Sequence, residues 1–133
     1  MVTPELYLDL DPGPWSQPEL ADHRPSGGTI CGRVRVTVSE PIECRTLVIT
    51  VGWRIEGRGR KHSETVQGRT LYQGMIDGSE MEYAFSFQLP DGPISYAGHL
   101  FGIHWEVHVQ LGLAWKVDPK ATRKFYLSLS GER

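Results

Sequence analysis

Three side chains able to bind a metal recur at every second position of one short run: His104, Glu106 and His108. In an extended strand such neighbours share a face and stand about 6.6–7 Å apart. Either adjacent pair could share a zinc ion, whereas all three reach one ion poorly. No further strong ligand lies nearby in sequence. The expectation is a solvated row of titratable groups, with no metal and no other cofactor.

A second cluster is cationic. Arg58, Arg60, Lys61 and His62 stand together in RGRKH, and Arg54 and Arg69 extend the run in sequence. Cations at a hairpin tip are commonly solvated and discourage edge-to-edge pairing of sheets. Their functional reading is a partner-binding contact for an acidic protein segment or a phospholipid head group.

Covalent chemistry has little to work with. Ser26, Ser63, Ser79 and Ser95 lack the GxSxG context that exposes a nucleophile on a sharp turn. Phosphate-cradling loops open a helix, and no helical window exists here to be opened. Gly27-Gly28 instead precedes a strand and reads as a turn. Asp9, Asp11, Glu80, Glu82 and Asp91 fall in turns or on polar faces, where ordinary carboxylate behaviour is expected. The sequence therefore points away from an enzyme.

These side chains must be positioned by strands. In MEYAFSFQLP, Tyr83, Phe85, Phe87 and Leu89 point one way, and Ala84, Ser86 and Gln88 the other. After a loop, Ile103, Trp105, Val107 and Val109 resume the alternation, with His104, Glu106, His108 and Gln110 opposite. A period of two over this length marks strands with one buried face and one wet face. Ile30, Gly32, Val34, Val36 and Val38 form another in-phase run, as do Leu47, Ile49, Val51, Trp53 and Ile55.

Weaker runs complete the set. LYLDLD predicts a first strand over about 3–10, residues 64–76 a broken strand with a bulge near Gly68, and RKFYLSLS a last strand. Residues 11–28 hold four prolines and are expected to be loop, because proline gives no amide to a ladder. The count is seven or eight strands separated by turn signals, which predicts an all-β, antiparallel, immunoglobulin-like sandwich forming one domain over 1–133.

The bulk numbers agree. A chain of 133 residues and 15.0 kDa is expected to bury about two-thirds of its unfolded surface, enough for a self-sufficient core. A net charge of −2 gives no global field for drawing in nucleic acid. No apolar run is long enough for a transmembrane segment, although peripheral membrane contact stays open. MVTPELYLDLDPG has neither a basic nor an apolar signal-peptide region, so a cytoplasmic location is expected. Cys31 and Cys44 lack metal-knuckle spacing, and in a reducing compartment they read as free thiols.

The quoted stretches resemble a known superfamily. GGTICGRVRVTV, IECRTLVITVGWRIEGRG, YAFSFQLPDGPISYAG and IHWEVHVQL follow one another as in the arrestin-like sandwich, which spans arrestins, the Vps26 retromer subunit and the sporulation-control protein Spo0M. Phe85, Phe87, Leu89, Pro90, Pro93, Ser95, Tyr96, Gly98, Ile103, Trp105 and Val107 carry the resemblance. It covers about Gly27 to Leu129 and implies an arrestin-like fold. Tyr96 is expected to fold back and cap the open end of the core. Arrestins and Vps26 carry two such sandwiches, and 133 residues hold one, so a homodimer is one expectation. Visual arrestins have a basic pair on the first strand for receptor phosphates. The matching LYLDLD is acidic, so phosphate sensing does not follow.

The resemblance implies a non-catalytic, adaptor-like scaffold module. Edge strands and the end loops 11–28, 56–63 and 90–100 would bind a protein partner. Two alternatives come from other classes. One is a small-ligand or carbohydrate-binding sandwich using Trp15, Trp115 and Tyr72 as stacking platforms. The other is a structural subunit of a larger assembly.

Overall fold

The computed structural model describes residues 4–11, 23–76, 80–98, 100–113 and 118–128. Nine strands follow in chain order. They are β1 (Glu5–Leu10), β2 (His23–Pro25), β3 (Thr29–Thr37), β4 (Ile42–Gly57), β5 (Arg60–Ile76), β6 (Glu80–Gln88), β7 (Tyr96–Ala97), β8 (Gly102–Leu113) and β9 (Lys120–Ser128). Seven have six residues or more, and no helix occurs among the described residues. The all-β sandwich expected from the alternation is what forms.

One sheet has the order β1-β3-β6. The other has the order β2-β9-β8-β4-β5, and β7 pairs with the start of β8. All pairings are antiparallel except β2 with β9. The inner faces carry the in-phase residues: Ile30, Val34 and Val36 on β3, Phe85 and Phe87 on β6, and Leu47, Ile49 and Val51 on β4. Trp105, Val107, Val109 and Leu111 on β8 complete the centre, with Phe125 and Leu127 from β9. The core sits between the sheets because each of these strands alternates large apolar residues with polar ones.

Three strand expectations need correction. The 11–28 stretch is not all loop, since residues 23–25 form β2 against β9. Pro25 is tolerated there because β2 is an edge strand with a ladder on one side alone. Residues 12–22, with Trp15, lie outside the described set. The broken strand begins at Arg60 and not at 64, because β4 and β5 form one long hairpin closed by the two-residue turn Arg58-Gly59. Both turn residues have positive φ, 39° and 79°, as a type I′ hairpin turn requires. The phase slip expected near Gly68 is divided between two neighbouring sites. Val66 is left without a partner between the Thr65 and Gln67 pairings, and Leu71 between Thr70 and Tyr72.

Side chains staple both seams between the sheets. Arg123 Nε on β9 donates to the Leu8 carbonyl at 2.9 Å, and its guanidinium stands 3.7 Å from Asp9. On the opposite side, Gln67 Nε2 donates to the Gln88 carbonyl at 2.5 Å, and Arg69 reaches the Ser86 carbonyl at 3.4 Å. The carbonyl groups of β1 and β6 that a partner strand would need are thus partly engaged. The edges of the larger sheet are the three-residue β2 and the 17-residue β5.

Candidate functional site

The end of the β4–β5 hairpin and the turn before β8 come together at one end of the sandwich. The register decides this: Glu56 of β4 pairs with Gly102 of β8, so the next residue, Gly57, abuts Leu100 and Phe101. A Cβ on Gly57 would overlap the Leu100 carbonyl oxygen and stand 2.8 Å from Phe101 Cα. Glycine here is needed for that approach.

On the other side of β8, Tyr96 pairs with Ile103 and the Gly98 amide donates to the Phe101 carbonyl at 3.1 Å, closing the turn. The Tyr96 and Phe101 rings lie 5.2 Å apart. Both are exposed, at 49% and 45%, and Leu100 is exposed at 59%. Tyr96 therefore does not cap the core as expected.

The task of holding the 89–98 loop falls to other residues. Trp105 Nε1 donates to the Pro93 carbonyl at 2.6 Å. Buried Ser95 engages β9 twice: its amide donates to the Leu127 carbonyl at 3.0 Å, and its Oγ accepts from the Leu127 amide at 2.9 Å.

Between hairpin tip and turn lies an open groove of about 600 Å³, lined by Ile55, Gly57, Gly59, Lys61, His62 and Phe101. His62 stacks at a tilt on Trp53 with ring centroids 5.8 Å apart, and a smaller depression that shares Ile55, Lys61 and His62 reaches Arg54 and Ser63. Lys61, which lines the groove, and Arg58, between the lining residues Gly57 and Gly59, are both exposed. The ion pairs among the described residues are Arg33–Glu82, Arg54–Glu56, Arg54–Glu106 and Arg123–Asp9. None of them takes up Arg58 or Lys61.

The structure thus brings together three of the four candidate residues, Arg58, Lys61 and His62. For Arg60 it describes the backbone alone, paired with Gly57. Of the two cations that extend the run in sequence, Arg54 lines the smaller depression with Lys61 and His62 and Arg69 does not. Arg54 is engaged by Glu56 at 3.3 Å and Glu106 at 3.9 Å, and Arg69 sits over the Phe87 ring at the seam. Sequence reading missed Leu100 and Phe101. Their signal was a large apolar pair inside a glycine-bounded turn, with no inward phase to join.

The His104, Glu106 and His108 row lies half-buried on the outer face of β8. Glu106 faces Arg54, and His108 Nδ1 is 2.9 Å from Thr122 Oγ1. Among the described residues no group of three or more His, Cys, Asp or Glu side chains is placed to hold a metal. Two open depressions of about 300 and 270 Å³ flank this row and share Thr50 and His108. Cys31 and Cys44 are free thiols on strands of different sheets, and burial pushes the Cys44 thiol up. Of the expected stacking platforms, Trp15 and Trp115 lie outside the described residues. Tyr72 is half-buried, donates to the Met75 carbonyl at 2.6 Å and packs on Tyr83.

No protein-family model matches the chain, and no curated protein matches it in sequence. In three dimensions the chain superimposes on Spo0M, the sporulation control protein of Bacillus subtilis, with a TM-score of 0.73 and 16% identity. The fold is arrestin-like. The similarity covers 96% of this chain and 50% of the Spo0M chain, so this arrestin-like sandwich spans half the length of that protein. At this identity the likeness establishes the architecture. The arrestin-like fold that the sequence resemblance implies is thereby shown. No helix among the described residues is long and apolar enough to cross a membrane.

Proposed function

We propose that this chain is a non-catalytic, adaptor-like interaction module, acting in the cytoplasm, that contacts a protein partner through the tip of its β4–β5 hairpin. The likeness to a sporulation control protein supports a regulatory or adaptor role in general terms. One observation of the chain itself carries the reading further. The exposed cations Arg58 and Lys61 stand beside exposed Leu100 and Phe101 at one end of the sandwich. Such a mixture of apolar area and unneutralised charge suits recognition: the apolar part supplies affinity, and the charge supplies orientation and encounter rate. Loops presented by a rigid sheet scaffold are the usual place for it.

The test is affinity capture from native cell lysate, with wild type beside a variant in which Arg58, Arg60 and Lys61 are changed to Glu. A specific partner should be held by wild type and lost by the variant. A partner retained by both would move the contact away from the hairpin tip, and no partner at all would remove the adaptor reading.

A further inference from the structure

We propose that the groove between the hairpin tip and Phe101 binds an acidic linear peptide segment that carries a bulky apolar side chain. This deepens the interaction-module reading and rests on it. The walls fix the apolar half of the ligand. Ile55 and Phe101 face the same open volume of about 600 Å³, and the close approach of Gly57 to Leu100 and Phe101 brings the second wall up to the first. At Gly59 an added Cβ would meet nothing within 4 Å, so the groove is open to solvent at the hairpin tip. A concave surface with apolar walls accepts a side chain; a peptide can supply one without folding.

The rim fixes the charged half. Lys61 lines the groove, Arg58 is exposed between the lining residues Gly57 and Gly59, and no described carboxylate pairs with either. The nearest strand-paired carboxylate, Glu56 opposite Lys61, makes its ion pair with Arg54 instead. An exposed cation in open water contributes little by itself. Beside an apolar side chain that displaces water from the groove, its attraction for a ligand carboxylate is screened less. Hence neither acid nor apolar residue suffices alone, and the ligand must carry both. The chain's overall charge of −2 makes this complementarity local to the tip.

The test is selection of a random linear peptide library, displayed on phage, against the intact chain. Synthetic peptides of the enriched sequences are then titrated against wild type, Phe101→Ser, and the double variant Arg58→Glu with Lys61→Glu. All three replaced residues are exposed, and matching circular dichroism and unfolding midpoints confirm that the variants fold. Enriched sequences should pair Asp or Glu with Leu, Ile, Phe or Trp. Each variant should weaken binding by about tenfold or more, as loss of a central contact does, and added salt should weaken binding to wild type.

Enrichment without acidic residues, or binding undiminished in either variant, overturns the proposal. So does failure of any sequence to enrich. Binding to vesicles of phosphatidylcholine and phosphatidylserine that Phe101→Ser abolishes would assign the surface to a membrane and overturn it as well. Capture of a lysate partner that needs Arg58 and Lys61 but ignores Phe101→Ser would leave the interaction module standing and remove this groove as the contact.

Discussion

Gly57 and Leu100 are packed backbone against backbone, and a single methyl on Gly57 would overlap the Leu100 carbonyl oxygen. This contact joins two segments far apart in sequence into one surface. It follows from the pairing of Glu56 with Gly102 and from the absence of a Cβ at the next position.

Gly57→Ala should therefore separate the turn from the hairpin. Overpacking of this kind costs about 1–3 kcal/mol. Chemical denaturation should show that loss, and amide exchange at residues 100–103 should quicken. Wild-type stability together with unchanged exchange would mean that the two segments are not in close contact.

Ser95 replaces a strand partner for β9. Beyond the pairing of Phe125 with Trp105, the Leu127 amide and carbonyl are met by Ser95 Oγ and the Ser95 amide. Ser95→Ala removes an acceptor in a buried place and leaves an N–H unpaired, at a cost of about 1–3 kcal/mol. Urea unfolding measures it. A variant as stable as wild type would show that this hydroxyl does not hold the loop.

Trp105 is 0% exposed, packs on Phe125 at 5.8 Å and donates to the Pro93 carbonyl. Trp105→Phe keeps an aromatic ring but loses the donor and part of the volume. The expected destabilisation is about 2–3 kcal/mol, from an unpaired carbonyl plus a small cavity. A change under about 0.5 kcal/mol, the range of neutral surface substitutions, would contradict the burial and bonding assigned to this ring.

Asp118 gives the pH dependence. Its carboxyl is held below the ordinary carboxylate range, first by the Leu113 amide at 3.0 Å and then by Gln110 Nε2 at 2.8 Å, with help from Lys120 and Arg45. A carboxyl lowered on folding adds stability above its unfolded value, about pH 4, and loses it as pH falls through the lower folded value. Asp118→Asn should flatten the loss of stability below about pH 4 while leaving the slope at neutral pH alone. Parallel acid limbs for the two proteins would refute this role.

Much of the architecture was legible in the sequence, since Ile30 to Val38, Tyr83 to Leu89 and Ile103 to Val109 alternate without interruption. What escaped had no periodicity to read. Pro25 argues against a strand by its chemistry, yet an edge needs only one ladder. Lys61 to Thr65 hold no apolar alternation, and all of them are exposed, so neither face of this part of β5 is covered. Arg58 and Lys61 could be placed at a tip from the turn signal alone. Leu100 and Phe101 could not be placed beside them, because that depends on strand register, which is set by tertiary packing. The same limit applies to Tyr96, whose ring is drawn to Phe101 and away from the core end.

The most direct test of a partner-binding surface at the hairpin tip is site-specific photocrosslinking in native cells, with a benzophenone side chain placed at residue 101. Tyr7 and Tyr126 serve as comparison sites, because at 42% and 40% exposure they match Phe101 at 45% but lie elsewhere on the sandwich. The expected result is a discrete crosslinked protein at position 101 that disappears when Arg58 and Lys61 are changed to Glu, with none at 7 or 126. Crosslinking at 7 or 126 but not at 101 would contradict it.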